Sequence, residues 1–367
     1  MGKIRYGLIG CGRISINHLK AAIQNGLEIV ALCDLQLERM KEMIEKCQLD
    51  ARSIHCYQDF HEMLSRENLD VVAVATDSGS HGLVAKESIQ HGFHTIIEKP
   101  IVLSLKEADE LIQLSKDYHV KVTVCHQNRF NKAIQKLQEA VEQERFGKIF
   151  YGTANIRWHR DEGYYKQAPW RGTWEKDGGA LMNQCIHNID LLKWMLGGKI
   201  KEVIALTDNL NHPYIETEDF GIALIKFENG TYGVIEGTTC IYPKNLEETL
   251  YIFGEKGTAK IGGKSVNLIE LWEFEDKRDS LESIQDIYKE EPENIYGYGH
   301  YLVYKDMIEA ILTNREPAIT AKDGKDALAL VLAIYESAHT KKIIPWPLEK
   351  GSTLDYQIKK NQTNNGR

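Results

Sequence analysis

The sequence predicts an α/β protein: a parallel, doubly wound sheet, then an α+β unit built on a large, mostly antiparallel sheet. Three observations predict it. Short apolar runs alternate with amphipathic stretches over roughly the first 125 residues. After about residue 147 the pattern changes to longer segments of alternating polarity. Three long helical stretches lie among and after those segments. Strand–helix alternation implies a parallel sheet covered on both faces, and alternating strands joined by tight turns imply an antiparallel one.

In chain order, strands are expected at 4–10, 28–34, 53–57, 70–76, 94–100 and 120–126. Helices are expected between them, near 14–25, 35–48, 59–66, 80–92 and 104–118. The second set of strands falls at 148–160, 201–209, 219–227, 231–239 and 249–254. Asn229-Gly230 signals a hairpin whose two turn positions both take positive φ, and "GEKG" at 254–257 a second tight turn. In "MNQCIHNIDLLKWM", Ile186, Ile189, Leu192 and Met195 recur near helical spacing, which predicts a helix over 180–196. Asn183 and His187 then share one face, one turn apart. Two more helices are expected at 301–315 and 324–340, and "YGYGH" at 296–300 as a glycine-hinged loop. The division that follows is 1–126, 127–348 and a polar, frayed tail at 349–367.

Composition narrows the function. The net charge of −8 argues against a nucleic-acid partner, which needs a basic surface. No apolar run approaches the roughly 20 residues that span a bilayer, so no membrane association is expected. The seven cysteines are odd in number and lack CxxC spacing, as in a reduced, cytoplasmic protein. "MGKIRYGLIG" passes straight into a strand, so no signal peptide is expected. His126, His159 and His187 lack ligand spacing, and no metal site is expected.

"GLIGCGRIS" places Gly10 and Gly12 between a strand and a helix, the context a dinucleotide-binding turn requires. Gly10 allows the turn, Gly12 lets the backbone approach a pyrophosphate, and Ser15 replaces the third glycine. Asp34 ends the second strand, where a carboxylate accepts from both ribose hydroxyls and repels a 2′-phosphate. NAD is therefore favoured over NADP. Asp34 as the N-cap of the next helix is the structural alternative. Glu98 and Lys99 end the fifth strand, at the carboxyl edge where ligands of such sheets bind.

"GLIGCGRIS" with His18, "VVAVATDSGSHGLVAKESIQHGFHTIIEKP" and "HQNRF" resemble the Gfo/Idh/MocA oxidoreductases, over nearly the whole chain. "RWHRDEGYYKQAPWRGTWEKDGGALMNQCIHNIDLLKW", "YPKNLEETLYIFGEKGT" and "YGYGH" resemble, within them, the UDP-N-acetyl-D-glucosaminuronate 3-dehydrogenases. Two positions depart from the broad family: Asp77 where many members carry Pro, and Asn183 where many carry Asp.

The resemblance implies a Rossmann domain, NAD, and oxidation of the 3-hydroxyl of a nucleotide-sugar uronate, a step in making bacterial surface polysaccharide sugars. It implies cofactor contacts from Gly10, Gly12, Arg13, Ile14, Asp34, Thr76, His81, Glu98, Lys99, Gln127, Trp170 and Arg171. A homodimer or homotetramer, formed through the open sheet, is also implied. Another sugar or polyol, inositol-like, is the alternative substrate, and a non-catalytic NAD-sensing regulator the alternative role.

Alcohol oxidation needs a proton acceptor beside the hydride acceptor. His187 has an ordinary pKa near 6.5 and suits that task, with Lys99 steadying the developing alkoxide. The reverse assignment, with a desolvated Lys99 as base, is the alternative. Asn183 orients the sugar without titrating. Arginine suits a carboxylate or diphosphate, and Arg129, Arg157, Arg160 and Arg171 are the candidates. In "RWHR" alternation gives Arg157 and His159 one face, Trp158 and Arg160 the other, so only one pair meets the ligand. Tyr164 and Tyr165 are placed near the sugar or base.

Overall fold

The computed structural model describes residues 2–290 and 299–357. Six strands, β1 (Arg5–Ile9), β2 (Glu28–Cys33), β3 (His55–Tyr57), β4 (Val71–Val74), β5 (His94–Ile97) and β6 (Val122–Val124), form a wholly parallel sheet. Their order is β3-β2-β1-β4-β5-β6. The connections are α1 (Ser15–Gln24), α2 (Leu37–Lys46), α3 (Phe60–Arg66), α4 (His81–Gln90) and α5 (Leu105–Asp117). β4 is "VVAV", buried at every position, because helices cover both sheet faces. The order in which strands are added reverses between β1 and β4, and their carboxyl ends open the crevice that binds ligands in such sheets.

The second sheet follows α6 (Lys132–Glu142). It contains β7 (Ile149–Arg157), β8 (Ile200–Asp208), β9 (Phe220–Phe227), β10 (Tyr232–Thr238), β11 (Glu247–Gly254), β12 (Gly257–Gly262), β13 (Leu268–Phe274) and β14 (Ile344–Pro345). The order is β13-β12-β11-β7-β10-β9-β8-β14, antiparallel except that β7 and β10 run parallel. Its helices are α7 (Glu162–Lys166), α8 (Ile186–Leu196), α9 (Leu281–Tyr288), α10 (Gly299–Thr313) and α11 (Ala321–Thr340). α8 lies over β7, β10 and β11; α10 packs on α1, and α11 on α5 and β8. α11 thus ties both sheets together. No helix of the described residues is long and apolar enough to cross a membrane.

Three expectations need correction, and a fourth falls on residues that are largely not described. The stretch 180–196 is not one α-helix: Leu181–Cys185 form a π-turn that leads into α8. Such a turn carries one extra residue and recurs at functional sites. The buried Glu218 carboxylate holds its start, accepting from Leu181 N at 2.7 Å and Tyr335 OH at 2.7 Å. The hairpin at Asn229-Gly230 has positive φ only at Gly230. Gly230 N donates to Phe227 O, so this is a type I turn closed by a left-handed glycine. Third, residues 349–357 are docked, not frayed: Thr353 and Tyr356 are buried, and Thr353 Oγ1 donates to Trp174 O at 2.6 Å. Finally, the loop at 296–300 falls largely outside the described residues.

Candidate active site

A cleft of about 1360 Å³ runs from the carboxyl edge of the parallel sheet to α7 and the π-turn. At its sheet end Gly10 has φ +97°, and a Cβ there would meet Ala75 O at 2.4 Å, so only glycine fits. A Cβ on Gly12 would meet nothing within 4 Å, which leaves open room for a phosphate at the α1 N-terminus. Asp34 accepts from Cys11 N at 2.8 Å and Gln36 N at 2.9 Å. It is not a helix N-cap, since Gln36 holds that position of α2. Arg13, Ile14, Thr76, His81, Glu98 and Gln127 also line the cleft. His81 bridges two loops, with Nδ1 against Pro100 O at 2.8 Å and Nε2 against Thr76 O at 3.3 Å. Gln127 Oε1 is buried without a partner among the described residues, an acceptor left for a ligand donor. These residues fit NAD.

Lys99 and His187 both line the cleft. Lys99 Nζ donates to the backbone O of Asn183 at 2.8 Å. Burial lowers the Lys99 pKa, against the pull of Glu98 and Asp177. Burial, then Lys99 and His126, push His187 well below its ordinary value. His187 is therefore a neutral imidazole at neutral pH, able to accept a proton. The expectation of an ordinary pKa is thereby corrected, since this burial makes His187 a weaker base than a free imidazole, and its Nδ1 is buried with no partner among the described residues. Under Lys99, Glu98 Oε1 accepts from His18 Nε2 at 3.0 Å and His300 Nε2 at 2.9 Å. Burial would raise Glu98, but the two histidines outweigh it and hold the carboxylate ionised. The ligand atoms of His18, Glu98, Cys125 and His300 lie within 4.8 Å of one another. Cation-ligating residues do gather there, which spacing along the chain does not reveal. Hydrogen bonds to Glu98 already engage both histidines.

The four arginines divide. Arg160 and Arg171 line the cleft; Arg129 and Arg157 do not. Arg129 forks onto Asp190 at 2.6 and 2.7 Å and reaches Asp323 at 3.1 Å, stapling the segment that follows β6 to α8 and α11. Arg157 pairs with Glu236 and Glu247 on the adjoining strands β10 and β11. Both substrate assignments are corrected by these partners. Tyr165 is corrected too: it is buried, with its hydroxyl 3.3 Å from Thr239 Oγ1, and Tyr164 lines the cleft instead. Trp158 and Arg160 are the cleft-facing pair of "RWHR", and His159 joins them because β7 ends at Arg157. The Arg160 guanidinium stacks on Trp158 and Tyr164, and that of Arg171 on Tyr164 and Trp170.

Three cleft-side residues escaped sequence reading. Asp177 is buried, accepts from Gly172 N at 2.6 Å and from Asn183 Nδ2, and is pushed by burial up to about 6. Gln184 accepts from Arg160 at 2.6 Å. Glu248 lines the cleft and is pushed by burial up to about 8. Strand alternation signals Glu248: in "LEETLYIF" its neighbour Glu247 points at Arg157, so Glu248 points the other way.

Residues 4–126 match the family model described as "Oxidoreductase family, NAD-binding Rossmann fold", and residues 134–260 that of the GFO/IDH/MocA C-terminal domain. The WlbA dehydrogenase of Bordetella pertussis, solved with NADH and UDP-GlcNAcA, is 38% identical with a TM-score of 0.88. The match covers 95% of this chain and 99% of that one. WlbA of Chromobacterium violaceum, with the same ligands, is 34% identical with a TM-score of 0.86, covering 95% and 97%. Myo-inositol 2-dehydrogenase of Thermotoga maritima is 26% identical over 93% of this chain and 98% of its own. The glycine turn, Asp34 after β2 and the cleft lysine lie within the matched Rossmann segment, and with both family models the chain belongs to the Gfo/Idh/MocA oxidoreductase family and is an NAD-dependent dehydrogenase.

Proposed function

We propose that the substrate is an anionic nucleotide sugar, UDP-N-acetylglucosaminuronate or a close relative, oxidised at its 3-hydroxyl to the 3-keto sugar. The role would be in bacterial surface polysaccharide synthesis. The observation that carries this is the pair Arg160 and Arg171. Both line the cleft, and among the described residues neither forms an ion pair with a carboxylate. Each also buries an Nε that has no partner among those residues. A guanidinium held this way lacks a counter-charge, and a uronate or diphosphate supplies one. A neutral polyol does not. The two WlbA structures were solved with such a ligand.

In this reading bound NAD supplies the hydride acceptor. Lys99, tethered at Asn183 O, keeps further N–H groups for the reacting oxygen and steadies the alkoxide as charge develops. His187 takes the hydroxyl proton as the hydride leaves the carbinol carbon. Glu248, a carboxyl kept protonated by burial, donates to a substrate oxygen. The catalytic pair argues against a purely sensory role.

The dinucleotide domain would span 1–126 and the substrate domain 127–348. A second copy would cover the open sheet face, where Ile204 and Leu206 of β8 pair with Leu224 and Ile222 of β9 and all four are exposed. Free cysteines and NAD use suit the cytoplasm. The test is direct: NADH formation and thermal shift with UDP-N-acetylglucosaminuronate and, separately, with myo-inositol. Turnover of inositol without response to the nucleotide sugar would overturn the substrate assignment.

A further inference from the structure

Four side chains form one hydrogen-bonded line across the substrate end of the cleft. Asp177 Oδ1 accepts from Asn183 Nδ2. Asn183 Oδ1 accepts from Gln184 Nε2 at 2.9 Å. Gln184 Oε1 accepts from Arg160 Nη2 at 2.6 Å. The two ends are of opposite kind: an ionised carboxylate only accepts, and a guanidinium only donates. Between them stand two amides, each with one accepting and one donating end. Only one orientation of both amides satisfies all three junctions. Turning either amide sets oxygen against oxygen or N–H against N–H at both of its junctions.

We propose that Asp177 is a positioning residue that sets this polarity, and thereby holds Arg160 on a neutral amide oxygen with its charge left for an anionic substrate. The proposal rests on the anionic-sugar reading above and adds how the site keeps its cation free. Asn183 thus has two tasks, since its backbone O also anchors Lys99. The same line reaches Arg171. Gln184 Nε2 also donates to Tyr164 OH at 2.8 Å, and Arg171 donates to that same oxygen. With both lone pairs engaged, the Tyr164 O–H is left to donate to a ligand. An asparagine at 177 has the right shape but cannot serve. Oδ1 and Oδ2 of Asp177 receive different donors, Asn183 Nδ2 and Gly172 N, and an amide offers an acceptor to only one of them.

The experiment uses the full chain loaded with NAD. Side-chain amide resonances of Asn183 and Gln184 are recorded by NMR without substrate, in wild type and Asp177→Asn. The expected result is a shift of the Gln184 signals, although Gln184 does not touch Asp177. Unmoved Gln184 signals overturn the proposal. In kinetics with UDP-N-acetylglucosaminuronate, KM should rise about tenfold, the loss of one charge-assisted contact. kcat should fall by less and NAD affinity should hold; a pure kcat loss also overturns it. If Asp177→Asn does not fold, Gln184→Glu approaches from the other end. It gives Arg160 a carboxylate and sets oxygen against Asn183 Oδ1, so KM should rise; an unchanged KM again overturns the proposal. Should wild type ignore this nucleotide sugar, the substrate reading fails, and the NMR comparison still decides on the line itself.

Discussion

Arg157 and Arg160 stand three residues apart and do opposite work. Arg157 lies within β7, where pairing sets Glu236 and Glu247 beside it. Arg160 lies beyond the strand end, stacked on Trp158 and Tyr164 and held by the oxygens of Asn245, Gln184 and His159. Arg129 and Arg171 repeat the contrast. One is neutralised by Asp190 and Asp323; the other, among the described residues, bonds a tyrosine hydroxyl and stacks on aromatic rings. Residue type does not decide whether an arginine is structural or available to a ligand. The presence of a carboxylate within reach does.

The contrast breaks most visibly at Arg129. Truncation to Ala would leave Asp190 buried, at 2% exposure, without its partner. Removing one member of a buried pair costs about 3–5 kcal/mol. Denaturant unfolding should show that loss, and the folded fraction should keep its substrate KM. A tenfold KM change with stability intact would instead return Arg129 to the substrate site.

Carboxyls divide in the same way. Glu247 meets Arg157, while its neighbour Glu248 is buried, forms no ion pair among the described residues and is pushed up to about 8. Its folded pKa lies above the unfolded value near 4.3. The folded state therefore holds an extra proton between those values. Stability from this group is full at low pH and is lost as pH rises through that window, on the order of 5 kcal/mol in all. Glu218 and Asp177 are raised likewise and add to the slope, so the difference between wild type and Glu248→Gln isolates this group. Equal slopes of stability against pH in the two proteins would show that Glu248 is solvated or paired.

Arg160→Gln tests the available member of the comparison. KM for a nucleotide-sugar uronate should rise about 10- to 100-fold, the range for a lost charge-assisted hydrogen bond. Stability should change little, because no carboxylate is left unpaired. A loss of stability comparable to that of Arg129→Ala would make Arg160 structural after all.

Local features were legible in the sequence. The glycine turn, Asp34 and the strand-ending Glu98-Lys99 each lie within a few residues of the strand that positions them, so pattern alone locates them. The parallel order followed from strand–helix alternation. Pairing was not legible. Asp190 stands 61 residues and Asp323 194 residues beyond Arg129, and only the tertiary fold brings them together. The π-turn was hidden because Glu218 and Tyr335, far along the chain, hold its start. Asp177 sits in a loop with no periodicity to give its direction, and it becomes visible only through Gly172 and Asn183.

The smallest expected effect is the sharpest control. Arg157 has two carboxylate partners in close geometry, and counting contacts would rank it with Arg129. Its side chain is 32% exposed, and those of Glu236 and Glu247 are 29% and 28% exposed, so solvent screens all three charges. Pairs of this kind contribute about 0–1 kcal/mol. Arg157→Gln should therefore lower stability by no more than about 1 kcal/mol, lessen further in salt, and leave KM unchanged. A change in KM would mean that β7 transmits its register to Arg160, since the two share one strand and its extension. Availability to ligand would then be set by the strand as a whole and not by each arginine's own partners.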